Sequence, residues 1–564
     1  MQIKKEFDKL VDKIEKANIY IIFTIILFVQ IVFMLYYCNM KQEFFVDEIW
    51  SYGLSNSYYK AQLWDNNDLN HLKISSDLIK NYLTVNPTER FKFGSVIYNQ
   101  THDAHPPLFY MVLHFISSMF PGTFSKWYGL IPNIFYYCVV MFLLMKITRC
   151  LSKNNILSIA VLVLYGFSIG AVNTVTYVRM YMLLTLWCLL FLLQTIKLYQ
   201  KDKVELKDII LLVIATFGGL YTHFFFIIFA CPIVCMYLLY VIKNKKIKKA
   251  IGYIISGGVG GIAALGLFPT YLNKLSGNDG NLNSTGTHSN IKNFSDWGER
   301  IGIYWKKISS ELFGSLWIII LIIIVISFLT YFVCNVLYKI RIVENNGKKY
   351  LNIEKNNMEK GMYIELKKKH IIFVSIIVTV SFYFLLVAKI TVYMSNRFVM
   401  CIYPLVILIM SVLIWKMLSI YIKRMTKRAA IFGLVCVLIG GLTYFTNDPE
   451  YLYADKGDNT RTLEMYIDKP VVYVYASTYR ILDNALNLMR TENDIYQTKV
   501  ENLKKNIKNI DNSSDEMILY VDTLLDGTDM SVDNCAKYVK KELNYKTISQ
   551  IGNDEMSVIY CLKR

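Results

Sequence analysis

The sequence predicts an α-helical polytopic membrane protein of about 11 transmembrane helices, and three observations predict it. Of its 564 residues, 54% are hydrophobic and the mean hydropathy is +0.34, too apolar for a soluble chain of this length. The apolar residues lie in long unbroken runs rather than alternating. Lys and Arg gather in short segments between those runs, as cytoplasmic loops do.

Runs long enough to cross lie near 19–38, 127–146, 155–172, 181–199, 208–222, 224–242, 250–272, 314–338, 371–391, 398–418 and 429–446, the fifth being the weakest. The first follows a charged helix carrying Lys4, Lys5, Lys9, Lys13 and Lys16, with no small-residue cleavage site after it, and reads as a retained span. A further apolar stretch, Pro107 to Phe120, falls short of the ~20 residues a span needs. If it lies in the interface, the N-terminus and five loops on its side hold 31 of the 61 Lys and Arg. The short opposite loops then carry only Arg179 and Arg397. If it crossed, that asymmetry would invert for five consecutive loops. The reading is therefore an interfacial helix, a cytoplasmic N-terminus and an extracytoplasmic C-terminus in the plasma membrane.

Three soluble parts face outward on this reading: a first loop at 39–126, a Gly-, Asn- and Ser-rich loop at 273–313, and the tail. Residues 1–446 form the transmembrane domain and 447–564 a small α/β domain. In the tail, PVVYVYA (470–476), MILYVD (517–522) and 556–562 read as strands, and 479–489 and 534–543 as helices. Most of the eleven cysteines sit within apolar runs; Cys535 and Cys561 fall in the tail, where an oxidising side would allow them to pair. The formal charge of +18 follows the cytoplasmic loops and implies no nucleic-acid partner. No P-loop or dinucleotide fingerprint is present, so no nucleotide cofactor is expected.

On this topology the informative ionisable residues all map to one face. Asp47 and Glu48 lie in FFVDEIWSYG, and His102, Asp103 and His105 in THDAHPPLFY. Arg179 lies in TYVRMYMLL, His223 in GLYTHFFFI and Arg397 in YMSNRFVMCIYP. Each also has a plain structural reading: a solvated acidic flank, a satisfied interfacial histidine, a snorkelling arginine. Their convergence, two Arg, three His and three carboxylates at membrane depth, favours a single polar site.

At these residues the chain resembles the polytopic transferases of the GT-C type, in particular glycosyltransferase family 39 and its bacterial relatives, which include protein O-mannosyltransferases and lipid A aminoarabinose transferases. The matching pieces are the pair Asp47-Glu48, H-x-x-HPPL from His102 to Leu108, R-M-Y from Arg179 to Tyr181, Y-T-H from Tyr221 to His223, and R-F with a following YPL from Arg397 to Leu405. No one of them is specific; their order over the first 400 residues or so carries the resemblance.

The resemblance implies a GT-C-like fold and inverting transfer of a monosaccharide from a polyprenyl-phosphate donor to an acceptor hydroxyl on the extracytoplasmic side. It implies Asp47 as general base with Glu48 beside it, and Arg179 and Arg397 on the donor phosphate, since a guanidinium grips phosphate in bidentate fashion. His102, Asp103 and His105 would shape the loop or touch the acceptor. Glu48 and His223 match positions that hold a divalent metal in some relatives. The Lys, Asn and Ile bias suggests an AT-rich bacterial genome, hence an undecaprenyl carrier and a cell-envelope glycan, lipid or protein as acceptor. The 273–313 loop has no room for an inserted β-trefoil, which puts a protein acceptor in doubt. The rival readings are a transporter or flippase of lipid-linked glycans, expected to show broken helices and repeats, and a polysaccharide polymerase or ligase.

Overall fold

The computed structural model describes residues 2–201, 204–276, 282–314, 322–323, 325–327, 329–330, 338–345, 348–355, 360–526 and 530–564. The chain divides into two compact units. One comprises Met1–Leu35, Asn133–Val175 and Met180–Pro449; the other comprises Tyr36–Pro132, Thr176–Arg179 and Glu450–Arg564.

The first unit is mostly helical and supplies the spans, except that the end of Ile19–Met40 and the start of Trp127–Leu151 belong to the second unit. Among the described residues, eight helices are long and apolar enough to cross a membrane: Ile19–Met40, Trp127–Leu151, Tyr181–Gln200, Phe225–Lys243, Ile247–Leu267, Lys368–Ile390, Asn396–Tyr421 and Met425–Thr446. A ninth candidate is the pair Asn155–Gly166 and Ile169–Thr176, bent by 53°. The protein is thus a multi-pass membrane protein. The run expected at 208–222 forms Leu206–Leu220, which at 15 residues is about 22 Å long and falls short of a span. Most of the 314–338 run lies outside the described residues.

Small residues let these helices approach. A Cβ on Gly260 would lie 2.7 Å from the carbonyl oxygen of Val213, so only glycine permits that crossing. Gln30, buried in the first span, donates from Nε2 to the Leu162 carbonyl at 2.9 Å, which satisfies part of a costly polar side chain. The loop expected at 273–313 is largely helical. Its Trp297–Phe313 helix buries Arg300, Tyr304, Ile308 and Leu312, a spacing of four that marks one covered face. Between two of these spans an antiparallel hairpin pairs Tyr338–Asn345 with Lys348–Lys355.

The second unit holds the six-stranded sheet. The strands of the protein in chain order are β1 (Lys73–Ile74), β2 (Tyr338–Asn345), β3 (Lys348–Lys355), β4 (Val471–Tyr475), β5 (Ile495–Lys499), β6 (Glu516–Asp522), β7 (Thr547–Asn553) and β8 (Ser557–Lys563). The sheet order is β1-β5-β4-β6-β8-β7, with β4 parallel to both β5 and β6 and the other pairs antiparallel. β4 is buried at every position, as its unbroken VVYVY requires. The edge strand β1 comes from the first loop, and Gln497 donates to the carbonyls of Leu69 and His71 at 2.7 and 2.6 Å to hold it.

Period-two alternation also decides the fate of the two tail cysteines. Tyr560 and Leu562 join Cys535 in one apolar core, so Cys561 between them faces the opposite side of the sheet. Both thiols are buried and free, and the pairing considered from sequence does not form.

Four helices of the first loop, Val46–Asn56, Ser76–Leu83, Phe93–Thr101 and Leu108–Met119, belong to the same unit. The last is the stretch expected to lie in the interface, and its 12 residues reach only about 18 Å. Asn99 ties the group together, donating to the carbonyls of Leu54 and Ser57 at 3.1 and 2.9 Å.

Candidate active site

The DE pair opens the helix Val46–Asn56, where carboxylates are favoured by unsatisfied amides and the helix dipole. Its two acids meet different surroundings. Asp47 is half-buried. Its carboxylate accepts from the Tyr177 hydroxyl at 3.4 Å, and its backbone carbonyl accepts from Ser51 Oγ and from Arg179, each at 3.0 Å. Arg179 also donates to Ser51 Oγ at 3.0 Å.

Glu48 is fully buried. Its carboxylate accepts from the Phe45 amide at 2.9 Å and the Val178 amide at 2.7 Å, and forms an ion pair with Lys41 at 3.0 Å. Lys41, also fully buried, donates to the Tyr451 carbonyl at 2.8 Å and lies 4.9 Å from the ring centroids of Phe44 and Tyr453. Burial lowers the Lys41 ammonium and raises the Glu48 carboxyl, each opposed by the partner's charge. Removing one partner of such a pair costs about 3–5 kcal/mol, because the other charge stays buried alone.

The backbone of 177–179 explains why Glu48 reaches it. Helix Ile169–Thr176 ends and helix Tyr181–Gln200 has not begun, so these residues lie outside regular structure. The Val178 amide therefore needs a partner outside the helix ladder, and Glu48 supplies it.

Asp103 and His105 lie within electrostatic reach of Arg179, and His105 also within that of Asp47. They form a mutual pair, Nδ1 to Oδ2 at 3.1 Å. Burial would raise the Asp103 carboxyl, but the hydrogen bond and charge of His105 and the charge of Arg179 outweigh it and bring it down to about 2. Burial lowers His105, aided by Arg179 and opposed by Asp103 and Asp47. His102 does not join them: it is exposed, and its Nδ1 lies 3.0 Å from the Tyr98 carbonyl and from Thr101 Oγ1.

His223 and Arg397 belong to the first unit and share an aromatic cluster there. His223 is buried between two helices, its Nδ1 accepting from the Phe225 amide at 3.0 Å. Its ring centroid is 4.7 Å from Phe225 and 5.8 Å from Tyr181. Phe398 packs on both Phe225 and Tyr181, and the Arg397 guanidinium lies 5.1 Å from the Phe398 ring. Asn396, one residue earlier, donates to Glu311, which anchors this turn ahead of the Tyr403–Tyr421 helix.

The metal reading of Glu48 and His223 fits these residues poorly. Glu48 spends its carboxylate on a lysine and two amides, and among the described residues no group of three His, Cys, Asp or Glu is arranged to hold an ion.

Sequence reasoning missed Lys41, Ser51, Tyr177, Tyr451 and Tyr453. Lys41 had a signal: a lone lysine directly after the first span, on the side that the expected topology keeps poor in basic loops. Tyr177 stacks on Tyr451 at 4.2 Å, but the two are remote in sequence and no local pattern joins them.

No protein-family model matches the chain, and no curated protein matches it. Among solved structures it is similar to a crystal structure of ArnT from Cupriavidus metallidurans bound to undecaprenyl phosphate, with TM-score 0.47 and 9% identity over 95% of this chain and 97% of that one. The apo structure of the same ArnT gives 0.46 and 8% over the same shares.

Proposed function

We propose that the protein is a membrane glycosyltransferase moving one sugar from a polyprenyl phosphate to an acceptor hydroxyl on the extracytoplasmic side. The observation that carries this reading is the gathering of Asp47, Arg179, Asp103 and His105 into one polar cluster: a half-buried carboxylate, a buried guanidinium and a His–Asp pair. A glycosidase needs two carboxyl groups because its leaving alkoxide must be protonated. A lipid phosphate leaves as a weak base, so one carboxylate suffices. Asp47 takes the proton of the acceptor hydroxyl as its oxygen bonds the anomeric carbon. The bond from that carbon to the phosphate oxygen breaks, and its electron pair leaves with the polyprenyl phosphate. A single displacement of this kind inverts the anomeric centre. General-base help of this sort contributes about 10²–10⁴ in rate.

Arg179 holds the phosphate in this reading, and His105, held by Asp103, contacts the acceptor. The composition bias favours an undecaprenyl carrier and a cell-envelope acceptor. The test is the envelope glycan profile of a deletion strain: loss of one monosaccharide mass supports the reading, and a profile equal to the parent's refutes it.

A transporter of lipid-linked glycans is the second reading, favoured by the broken span at 155–176. Transport needs no base, so Asp47→Asn spares it and abolishes transfer.

A further inference from the structure

Three distant stretches of the second unit close a ring of contacts beside Asp47. Lys41 pairs with Glu48; Glu48 accepts from the Val178 amide; Tyr177, one residue earlier, stacks on Tyr451; and the Tyr451 carbonyl accepts from Lys41. Val178 is pinned from its other side as well, because a Cβ on Gly129 would lie 2.1 Å from its Cγ1. Arg179 is the next residue, and its guanidinium binds the Asp47 carbonyl. A fully buried ion pair is often no more stabilising than apolar residues of the same size, so stability alone explains it poorly.

We infer that Lys41 and Glu48 are positioning residues: through the Val178 amide they fix the 177–179 turn and so set the guanidinium of Arg179 against Asp47. The adjacent acids thus divide the work, Asp47 toward the acceptor and Glu48 toward the frame. The inference rests on the proposed phosphate-binding role of Arg179.

The test is the affinity of full-length protein in detergent micelles for undecaprenyl phosphate, with thermal melting as the check on folding. Arg179→Ala weakens binding at least tenfold. The double variant Lys41→Met with Glu48→Leu keeps the interior filled but offers the Val178 amide no acceptor; it melts cooperatively and binds about tenfold more weakly. Lys41→Met with Glu48→Gln restores an acceptor and binds within threefold of wild type. This rescue is a readout that a purely stabilising pair would not give. If the folded Leu and Gln doubles bind alike while Arg179→Ala weakens binding, the positioning role is overturned and the phosphate role stands. A folded Gln double that binds tenfold more weakly overturns it equally, and does so even where the Leu double fails to fold. If Arg179→Ala binds as wild type does, the phosphate role itself fails.

Discussion

Arg179 donates a hydrogen bond to the backbone carbonyl of Asp47 at 3.0 Å, across 132 residues of chain. The contact sets a fixed cation beside the proposed base without engaging the Asp47 carboxylate through that bond. An anionic leaving group and a deprotonating carboxylate need such an arrangement, since a direct Arg–Asp ion pair would quench both.

The two histidines of the HPPL stretch should differ. His105→Ala should lower the rate of sugar transfer at least tenfold, because His105 lies in the charged cluster with Asp103 and Arg179. His102→Ala should leave the rate within twofold, because His102 bonds only its own helix end. Initial rates of both variants decide; equal losses would contradict the assignment.

Arg397→Ala should weaken binding of undecaprenyl phosphate about tenfold with little change in melting temperature. Arg397 is half-buried and lies against Phe398, whereas Asn396 and Glu311 hold the turn. Unchanged affinity would contradict the phosphate contact expected of Arg397.

A chain ending at residue 449 should lose the order of its first loop. Lys41 would lack the Tyr451 carbonyl, the Gln42 amide would lack the Leu452 carbonyl at 2.8 Å, and β1 would lack β5. Limited trypsin digestion should cut at Lys60, Lys80 and Arg90 more than tenfold faster than in the full chain; equal rates would show that the loop stands alone.

The tail carries a pH signature. Burial pushes the Asp483 carboxyl up to about 6 from 3.8, despite its ion pair with Lys456. The folded protein then keeps a proton that the unfolded chain has lost, so this group's contribution to stability rises as pH falls through 6 and is complete below 3.8. Within that window the gain is about 1 kcal/mol per pH unit. Melting curves of wild type and Asp483→Asn should therefore shift in favour of wild type between pH 7.5 and pH 5. A gap that stays constant would contradict the raised value.

Elements carried by strong periodicity were legible in the sequence. PVVYVYA contains β4, MILYVD lies in β6, and the stretch short of a span is a 12-residue helix. Helix Trp297–Phe313 was equally legible at i, i+4, i+8, but Gly, Asn and Ser around it suggested a loop. What stayed hidden depends on distance in sequence: β1 has two residues and exists only because β5, some 420 residues later, accepts it. The site divides the same way. Asp47, Arg179, Asp103 and His105 announced themselves as charges beside apolar runs. Whether Glu48 served chemistry or frame was not readable, because its partners Lys41 and Val178 show themselves only in three dimensions.

The most direct test is the rate of sugar transfer by purified Asp47→Asn protein from a polyprenyl-phosphate donor, measured beside its affinity for undecaprenyl phosphate. The account predicts transfer lowered at least a hundredfold with affinity within threefold of wild type. Transfer at the wild-type rate would contradict it.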